Sequence, residues 1–466
     1  MKILHVIANS SPDVNGYAVR TQMLLQYQSQ IEDIENLGLT SPWYPHKVSM
    51  VRNHIQKEVR YLRTVHPSRK IKNPLSHRMV SFFTSKVQDS SSKKTLSSAP
   101  KKKSFLLQIV DRFYWGGMKI IRAIRHFFHI GWKVVEEKIL IKYFMKRIIQ
   151  VAQEESVDVI HAHTPYRVGL PAMRAARKMG LPFVYEMRGM WEETAVANGR
   201  WMRNGPAYRR FQRYETKVLL KADSVICISE TLKNEAISRG VKKENITVVT
   251  NAVERTITDV SHTSELYATV AESIEKEENS CVIGYIGSLR EMEGVDLTAQ
   301  AVAKLKQMGH NVHFFVLTGP SGQDELKQLC EVLNIDDSST IVGPVPHDEV
   351  GAFYSLIDVF VVSRPNSRVT QLVTPLKPFE AMAMGRATVA SRLPALEEII
   401  SHEKTGLLYK PDSVEDLTMT IERCIVEPAL REKLGNAART WVLTNRTWDI
   451  VVQNTVDVYK NLLHGR

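Results

Sequence analysis

The stretch Val157–Tyr185, VDVIHAHTPYRVGLPAMRAARKMGLPFVY, reads as strand, helix and strand. Val157–Ala162 is a short run rich in β-branched residues, bounded by polar positions. Gly169–Met179 carries apolar residues at helical spacing, and Gly180 is placed to end that helix in a left-handed turn. Leu181–Tyr185 then supplies the second strand. Two strands joined by a helical crossover must lie parallel in one sheet.

Working outward, the same alternation recurs. Upstream, Lys2–Ala8 (KILHVIA) is a strand candidate, and a helix is expected over Tyr17–Gln30. Downstream come a helix over Tyr208–Lys221, strand Ser224–Ile228, a helix Glu230–Ser238 capped by Ser229, and strand Ile246–Thr250. Arg255–Ser280 is polar and reads as a linker. The pattern restarts with strands Val282–Ile286, His313–Thr318, Thr340–Val342, Val359–Val362 and Thr388–Ala390, separated by helices. This predicts two doubly wound parallel-sheet domains, at 1–265 and 278–447, facing a cleft. A last helix within 448–466 is placed to cross back to the first domain.

The 466 residues are 43% hydrophobic and 24% charged, which excludes a collagen, a rod or a wholly disordered chain. No apolar run reaches the roughly 18 residues of a membrane span, and the N-terminus lacks signal-peptide character. Cys227, Cys281, Cys330 and Cys424 form no metal or disulfide pattern, so a cytoplasmic, reduced protein is expected. The net charge of +12 is uneven: segment 46–150 holds 24 Lys/Arg against 5 Asp/Glu, which leaves the remainder acidic.

Within that basic insertion, Thr84–Ser104 is rich in Ser and Lys and reads as a flexible stretch. Over 112–133, Phe113, Ile120, Ile124 and Phe128 share one helical face, opposite Arg112, Lys119, Arg122 and Arg125. Such a helix suits an anionic membrane surface. It equally suits packing on its own domain with a solvated basic face. No nucleic-acid motif is present, and none of that class of partner is expected.

Neither domain carries GxGxxG or GxxxxGK[ST], which disfavours a generic hydride or phosphoryl transferase. The chemistry concentrates in Pro375–Gly385, PLKPFEAMAMG. Pro378 suits a first helical turn, which would leave backbone N–H groups and Lys377 facing an anion. Glu380, one turn on, can accept from paired hydroxyls such as those of a ribose. The same residues also fit a plain capped helix with an exposed Lys and Glu.

EAMAMG at 380–385, VAS at 389–391 and KTGLL at 404–408 resemble the C-terminal signature of glycosyltransferase family 4, retaining enzymes of GT-B architecture. NGY at 15–17 with Arg20, HAHTP at 161–165, YEMRG at 185–189, ADSVICISE at 222–230 and VVTNAV at 248–253 match in order. GYIGSLR at 284–290, LTG at 317–319 and VGPV at 342–345 fall at the family's C-domain loops. VTPLKP at 373–378 with EGVDL at 293–297 is similar to an exopolysaccharide-associated branch.

The resemblance implies a hexosyltransferase that moves sugar from a nucleotide-sugar to a glycan acceptor. A lipid-linked acceptor in surface-glycan assembly, at the inner membrane face, fits the basic insertion. Donor contacts would come from Gly16, Arg20, Ser288, Arg290, Gly319, Val342, Gly343, Arg364, Arg368, Thr374, Leu376 and Glu380. Catalytic roles would fall to His163, Glu186, Arg188 and Lys377. No metal and no cofactor are expected, because fixed cations would neutralise the leaving diphosphate.

Four positions depart from the family pattern: Arg188 stands where the family's N-domain His beside the transferred sugar is expected, with His163 as its substitute. Leu372 stands where the first acid of a Glu-x7-Glu pair is expected, and Ser288 and Glu293 stand where a basic pair grips the diphosphate. Lys377 and Arg290 are expected to supply the missing charge. The same departures leave a non-catalytic nucleotide-sugar-binding protein as the alternative. A phosphorylase would need a pyridoxal phosphate lysine, for which no motif is present.

Overall fold

The computed structural model describes residues 1–10, 16–43, 53–56, 59–67, 133–259, 264–275, 280–346 and 349–465. The candidate membrane helix 112–133, except for Lys133, the Ser/Lys-rich stretch 84–104 and Asn15 lie outside them.

Two parallel sheets form the frame. The first contains β1 (Lys2–Ile7), β2 (Glu35–Thr40), β3 (Asn53–Gln56), β4 (Val59–Arg63), β5 (Val159–His163), β6 (Phe183–Met187), β7 (Ser224–Cys227) and β8 (Ile246–Val248). Their order is β3-β4-β2-β1-β5-β6-β7-β8, and β3, paired antiparallel with β4, is the exception to parallel pairing. The second contains β9 (Cys281–Ile286), β10 (Val312–Leu317), β11 (Ser339–Val342), β12 (Val359–Val362), β13 (Ala387–Ser391) and β14 (Leu407–Tyr409). Its order, β11-β10-β9-β12-β13-β14, is parallel throughout.

The strands are apolar because helices cover both faces of each sheet. Every residue of β5, β6, β9 and β10 is buried. The helix Tyr166–Met179 ends at Gly180 with φ 70°, a conformation that favours glycine. Ser229 caps Glu230–Ser238 by accepting from the Leu232 N–H at 3.1 Å.

Two sequence expectations change in extent. The basic insertion supplies two strands that the sequence pattern did not mark, β3 and β4, besides a helix over 133–154. Phe144, Ile148 and Val151 of that helix are fully buried, each worth roughly 1.5–3 kcal/mol of hydrophobic stabilisation. The polar linker holds a helix, Glu265–Glu275, whose Val270 and Ile274 join the second domain's core.

The chain crosses between domains twice, side by side. Val253 donates to the Arg446 carbonyl at 2.9 Å and accepts from the Trp448 N–H at 3.2 Å. From there the helix Trp448–His464 packs on the first domain, with the Tyr459 hydroxyl 2.6 Å from His161 Nδ1. The carboxyl ends of both sheets face one another. Ser229, beyond β7, donates to the Leu372 carbonyl of the second domain at 3.3 Å. Gly16 lies beside Leu376, whose Cδ1 would be 3.8 Å from a Cβ at that glycine.

Candidate active site

The second domain gathers cations at the carboxyl end of β9. After β9, Gly287 adopts φ 150°, and a Cβ there would fall 2.1 Å from Lys377 Cε. Only a glycine lets the lysine stem lie this close to the loop. The lysine then reaches the Tyr285 hydroxyl, with its Nζ 4.8 Å from the centre of that ring.

Glu293 is the centre of this group. It is 2% exposed, and its carboxylate accepts from Arg290 at 2.8 Å and from Arg364 at 3.2 Å, and pairs with Lys377 at 3.2 Å. Gly294 makes the turn possible: at φ 67° its Cα sits against the Ser363 carbonyl, where a Cβ would come within 2.0 Å. Burial acts to raise the Glu293 carboxyl pKa, but Arg364, Lys377 and Arg290 reverse it and hold the group far below the carboxylate range. Burial pulls the Lys377 ammonium below its ordinary value, and Glu293 opposes that pull. Three cations around one carboxylate leave excess positive charge at the interdomain gap. Lys377 and Arg290 keep 18% and 53% of their side-chain surface exposed toward an incoming anion.

The helix carrying Lys377, Lys377–Ala383, has seven residues. Its dipole therefore contributes little beside the cations, a correction to the weight placed on its N-terminus. Glu380 on the same helix accepts from the Tyr354 hydroxyl at 2.7 Å and remains partly accessible.

The other loops form one ridge along the sheet edge. Gly287 donates to the Leu317 carbonyl and Thr318 to the Val342 carbonyl, both at 2.9 Å. Ser288 and Gly319 lie open on this ridge, beside the partly exposed Val342 and Gly343. Ser288 accepts from Arg290 Nε at 3.2 Å. Gln323 donates to the Gly343 and Thr318 carbonyls at 3.1 and 3.3 Å. Tyr285, Tyr354 and Gln323 carry no charge pattern that marks them in the sequence, where Glu293 reads only as a lost cation.

Three residues expected at the donor are placed elsewhere. Arg368 pairs with Glu235 of the first domain at 2.6 Å, because Ser367 starts a short capped helix that turns it that way. Thr374 is 5% exposed and accepts from Asn251 Nδ2, 3.0 Å from its carbonyl. Arg20 is 2% exposed, and its nitrogens donate to Glu186, to the Val249 and Thr250 carbonyls and to Asn251 Oδ1 at 2.7–3.1 Å. It braces the segment that leads into the interdomain crossing.

The residues expected to act from the first domain form a second, enclosed cluster. Glu186, fully buried at the end of β6, accepts from Arg20 Nη2 at 2.7 Å and from Arg188 Nη2 at 2.7 Å, and closely contacts His163. Burial acts to raise its pKa, but Arg188 and Arg20 overcome that and hold it well below the ordinary value. Burial, reinforced by Arg188, lowers the His163 pKa to about 4. Arg188 also donates to Thr21 Oγ1 at 2.5 Å and to the Tyr17 carbonyl at 3.1 Å. His163, Glu186 and Arg188 thus meet each other and not the gap. They support the helix start at Gly16–Tyr17 instead of lining the cleft with free groups.

Among the described residues, His5, His161 and His163 form a cluster with metal-binding spacing. His5 Nδ1 lies 3.1 Å from His163 Nε2, and Arg188 Nη2 lies 2.6 Å from His163 Nδ1. Two buried guanidinium groups this close make it a poor place for a further cation. No described helix is long and apolar enough to cross a membrane.

Residues 268–441 match the family described as Glycosyl transferases group 1, and residues 113–256 match Glycosyltransferase Family 4. An uncharacterised glycosyltransferase of Methanocaldococcus jannaschii is 24% identical over 73% of this chain and 83% of its own. A D-inositol 3-phosphate glycosyltransferase of Acidothermus cellulolyticus is 25% identical over 66% and 68%. Among solved structures, a Rickettsia africae glycosyltransferase superposes over 100% of this chain and 99% of its own, with TM-score 0.66 at 16% identity. Anabaena HepE, solved with UDP-glucose, covers 100% of both chains with TM-score 0.61 at 15% identity. Each of the two domains thus matches a glycosyltransferase family model over part of its length, and the superpositions show a two-domain GT-B fold.

Proposed function

We propose that the chain is a retaining hexosyltransferase that takes sugar from a nucleotide-sugar donor and passes it to a lipid-linked glycan during surface-polysaccharide assembly. The observation that carries this reading is the cluster of Lys377, Arg290 and Arg364 around Glu293, one helical turn from Glu380. The donor's diphosphate would lie against the cations and its ribose hydroxyls against Glu380, with the base along Val342–Gly343. HepE binds UDP-glucose on the same fold, which supports a donor of that class.

As the bond to the sugar breaks, negative charge grows on the departing phosphate. Each cation held in place for it contributes about 2.7–4 kcal/mol of transition-state stabilisation, so no metal is needed. A phosphate oxygen of the leaving group takes the proton of the attacking hydroxyl, which arrives on the same face of the sugar. Approach of Gly16 to Leu376 would exclude water from that step. The basic insertion favours work at an anionic membrane surface.

The test is transfer from a panel of nucleotide-sugars to a pool of lipid-linked acceptors, with and without EDTA. The expected product keeps the donor's anomeric configuration, and chelation leaves the rate unchanged. Donor binding without transfer or hydrolysis would favour the non-catalytic alternative, which Ser288, Glu293 and Leu372 motivate.

A further inference from the structure

Lys377 is held by its surroundings more tightly than a surface cation would be. A lysine ammonium has three N–H donors. One goes to the Tyr285 hydroxyl and a second to Glu293 Oε2 at 3.2 Å. Among the described residues nothing takes the third, and 18% of the side chain stays open at the interdomain gap.

Tyr285 decides which donor is left over. It is 1% exposed on β9, and its ring stacks on Phe360 of β12 with centroids 6.2 Å apart and planes 11° from parallel. Its single proton goes to the Ser288 carbonyl at 3.0 Å. The oxygen can then only accept from Lys377. Burial, reinforced by Glu293, holds the phenol well above its ordinary pKa, so that proton stays in place.

The same hydroxyl supports the second cation. Ser288, whose carbonyl it holds, accepts from Arg290 Nε at 3.2 Å through its side chain, and Arg290 Nη2 donates to Glu293 at 2.8 Å. Arg364 plays a different part. It is 4% exposed, with Nε and Nη2 on Glu293 at 3.2 Å and Nη1 on the Val373 carbonyl at 2.9 Å. Arg364 therefore offsets Glu293, and the positive charge open to the gap belongs to Lys377 and Arg290. One buried phenol oxygen reaches both of them, Lys377 directly and Arg290 through Ser288.

We infer that Tyr285 is a positioning residue that aims Lys377 and Arg290 at the donor's diphosphate. This rests on the glycosyltransferase reading above and says how the cations of that site are held. Ser288 and Glu293, which stand where a basic pair is expected, then serve as supports for cations brought from elsewhere in the chain. Donors fixed in advance need not reorganise as charge grows on the leaving phosphate.

The experiment titrates inorganic pyrophosphate by calorimetry, at neutral and at alkaline pH, into the full chain, Tyr285→Phe, Lys377→Ala and the double variant. Pyrophosphate presents the diphosphate alone and needs no choice of base. Tyr285→Phe keeps the ring and its packing on Phe360, and thermal melts check that each variant is folded. At neutral pH Tyr285→Phe should bind about tenfold or more weakly. Its binding should also fade at a lower pH than that of wild type, because the ammonium loses an acceptor that favours its charged form. The charged and titratable groups facing Lys377 are Glu293, Arg364, Arg290 and Tyr285, and the variant changes only the last. In the Lys377→Ala background the same substitution should cost several-fold less than it does alone, since the contact it acts through is gone. A tyrosine that only packs would lower the melting midpoint and leave pyrophosphate affinity and its pH course unchanged. That result, or an equal cost in both backgrounds, overturns the inference and leaves the donor site standing. Absence of binding to wild type, or full affinity in Lys377→Ala, overturns the donor site itself and the role of Tyr285 with it.

Discussion

Glu293→Gln removes the charge that holds three cations together while keeping the side-chain shape. The wild-type carboxylate is 2% exposed and sits 2.8 Å from Arg290 and 3.2 Å from both Arg364 and Lys377. Breaking a buried ion pair by neutralising one partner costs about 3–5 kcal/mol, since the other charge stays buried. For a domain of this size each kcal/mol shifts the melting midpoint by about 2–4 °C, so the second domain should melt roughly 6–20 °C lower. Differential scanning calorimetry reads this directly. A nucleoside diphosphate should narrow the deficit, because its phosphates replace the missing charge; at a hundred times Kd it adds about 2.7 kcal/mol. The pH dependence has a definite sign. The folded pKa of Glu293 lies below its unfolded value, so its stabilisation is complete above about pH 5 and lost as the pH falls. The gap between wild type and variant should therefore close in acid. A midpoint change under about 3 °C at pH 7, or a gap that widens in acid, would refute the reasoning.

Further outcomes follow from the first domain and the interdomain contacts. His163 is neutral when folded, with a pKa lowered to about 4, so stability should fall by about 2 kcal/mol between pH 7 and pH 5 on its account. His5 and His161 are displaced the same way, so replacing one of the three by Gln should flatten that acid slope in denaturant titrations. Arg20→Met should cost about 3–5 kcal/mol by leaving Glu186 with half its ion pairs, measured by urea unfolding of the first domain. Glu398 accepts from the Glu230 and Thr231 N–H groups at 2.8 and 2.7 Å, across the domains. Glu398→Ala should weaken that contact by about 0.5–2 kcal/mol and raise the radius of gyration in X-ray scattering.

The fold was readable because its strands are apolar and its helices carry stops such as Gly180 and caps such as Ser229. β2 (ENLGLT) and β4 (VRYLR) were not, since polar and charged residues interrupt them; Arg60 and Arg63 hid a strand inside a basic run. In the site, Lys377 and Glu380 stood out because Pro378 and the following small residues mark a helix start. Glu293 did not, because its charge looks like a loss until Arg364, 71 residues on, is seen beside it. The Arg20–Glu186 pair spans 166 residues, and only the parallel register of β1, β5 and β6 brings it together. Arg368 was misplaced for a local reason: Ser367 sets the direction of its short helix toward Glu235.

A donor diphosphate should bind at Lys377. Calorimetric titration of UDP, GDP, ADP and TDP into wild type and Lys377→Ala addresses this most directly. At least one should bind wild type and lose about tenfold or more in affinity in the variant, the loss of one charge-assisted contact. Equal affinity in the two proteins, or no binding to wild type by any of the four, would contradict it.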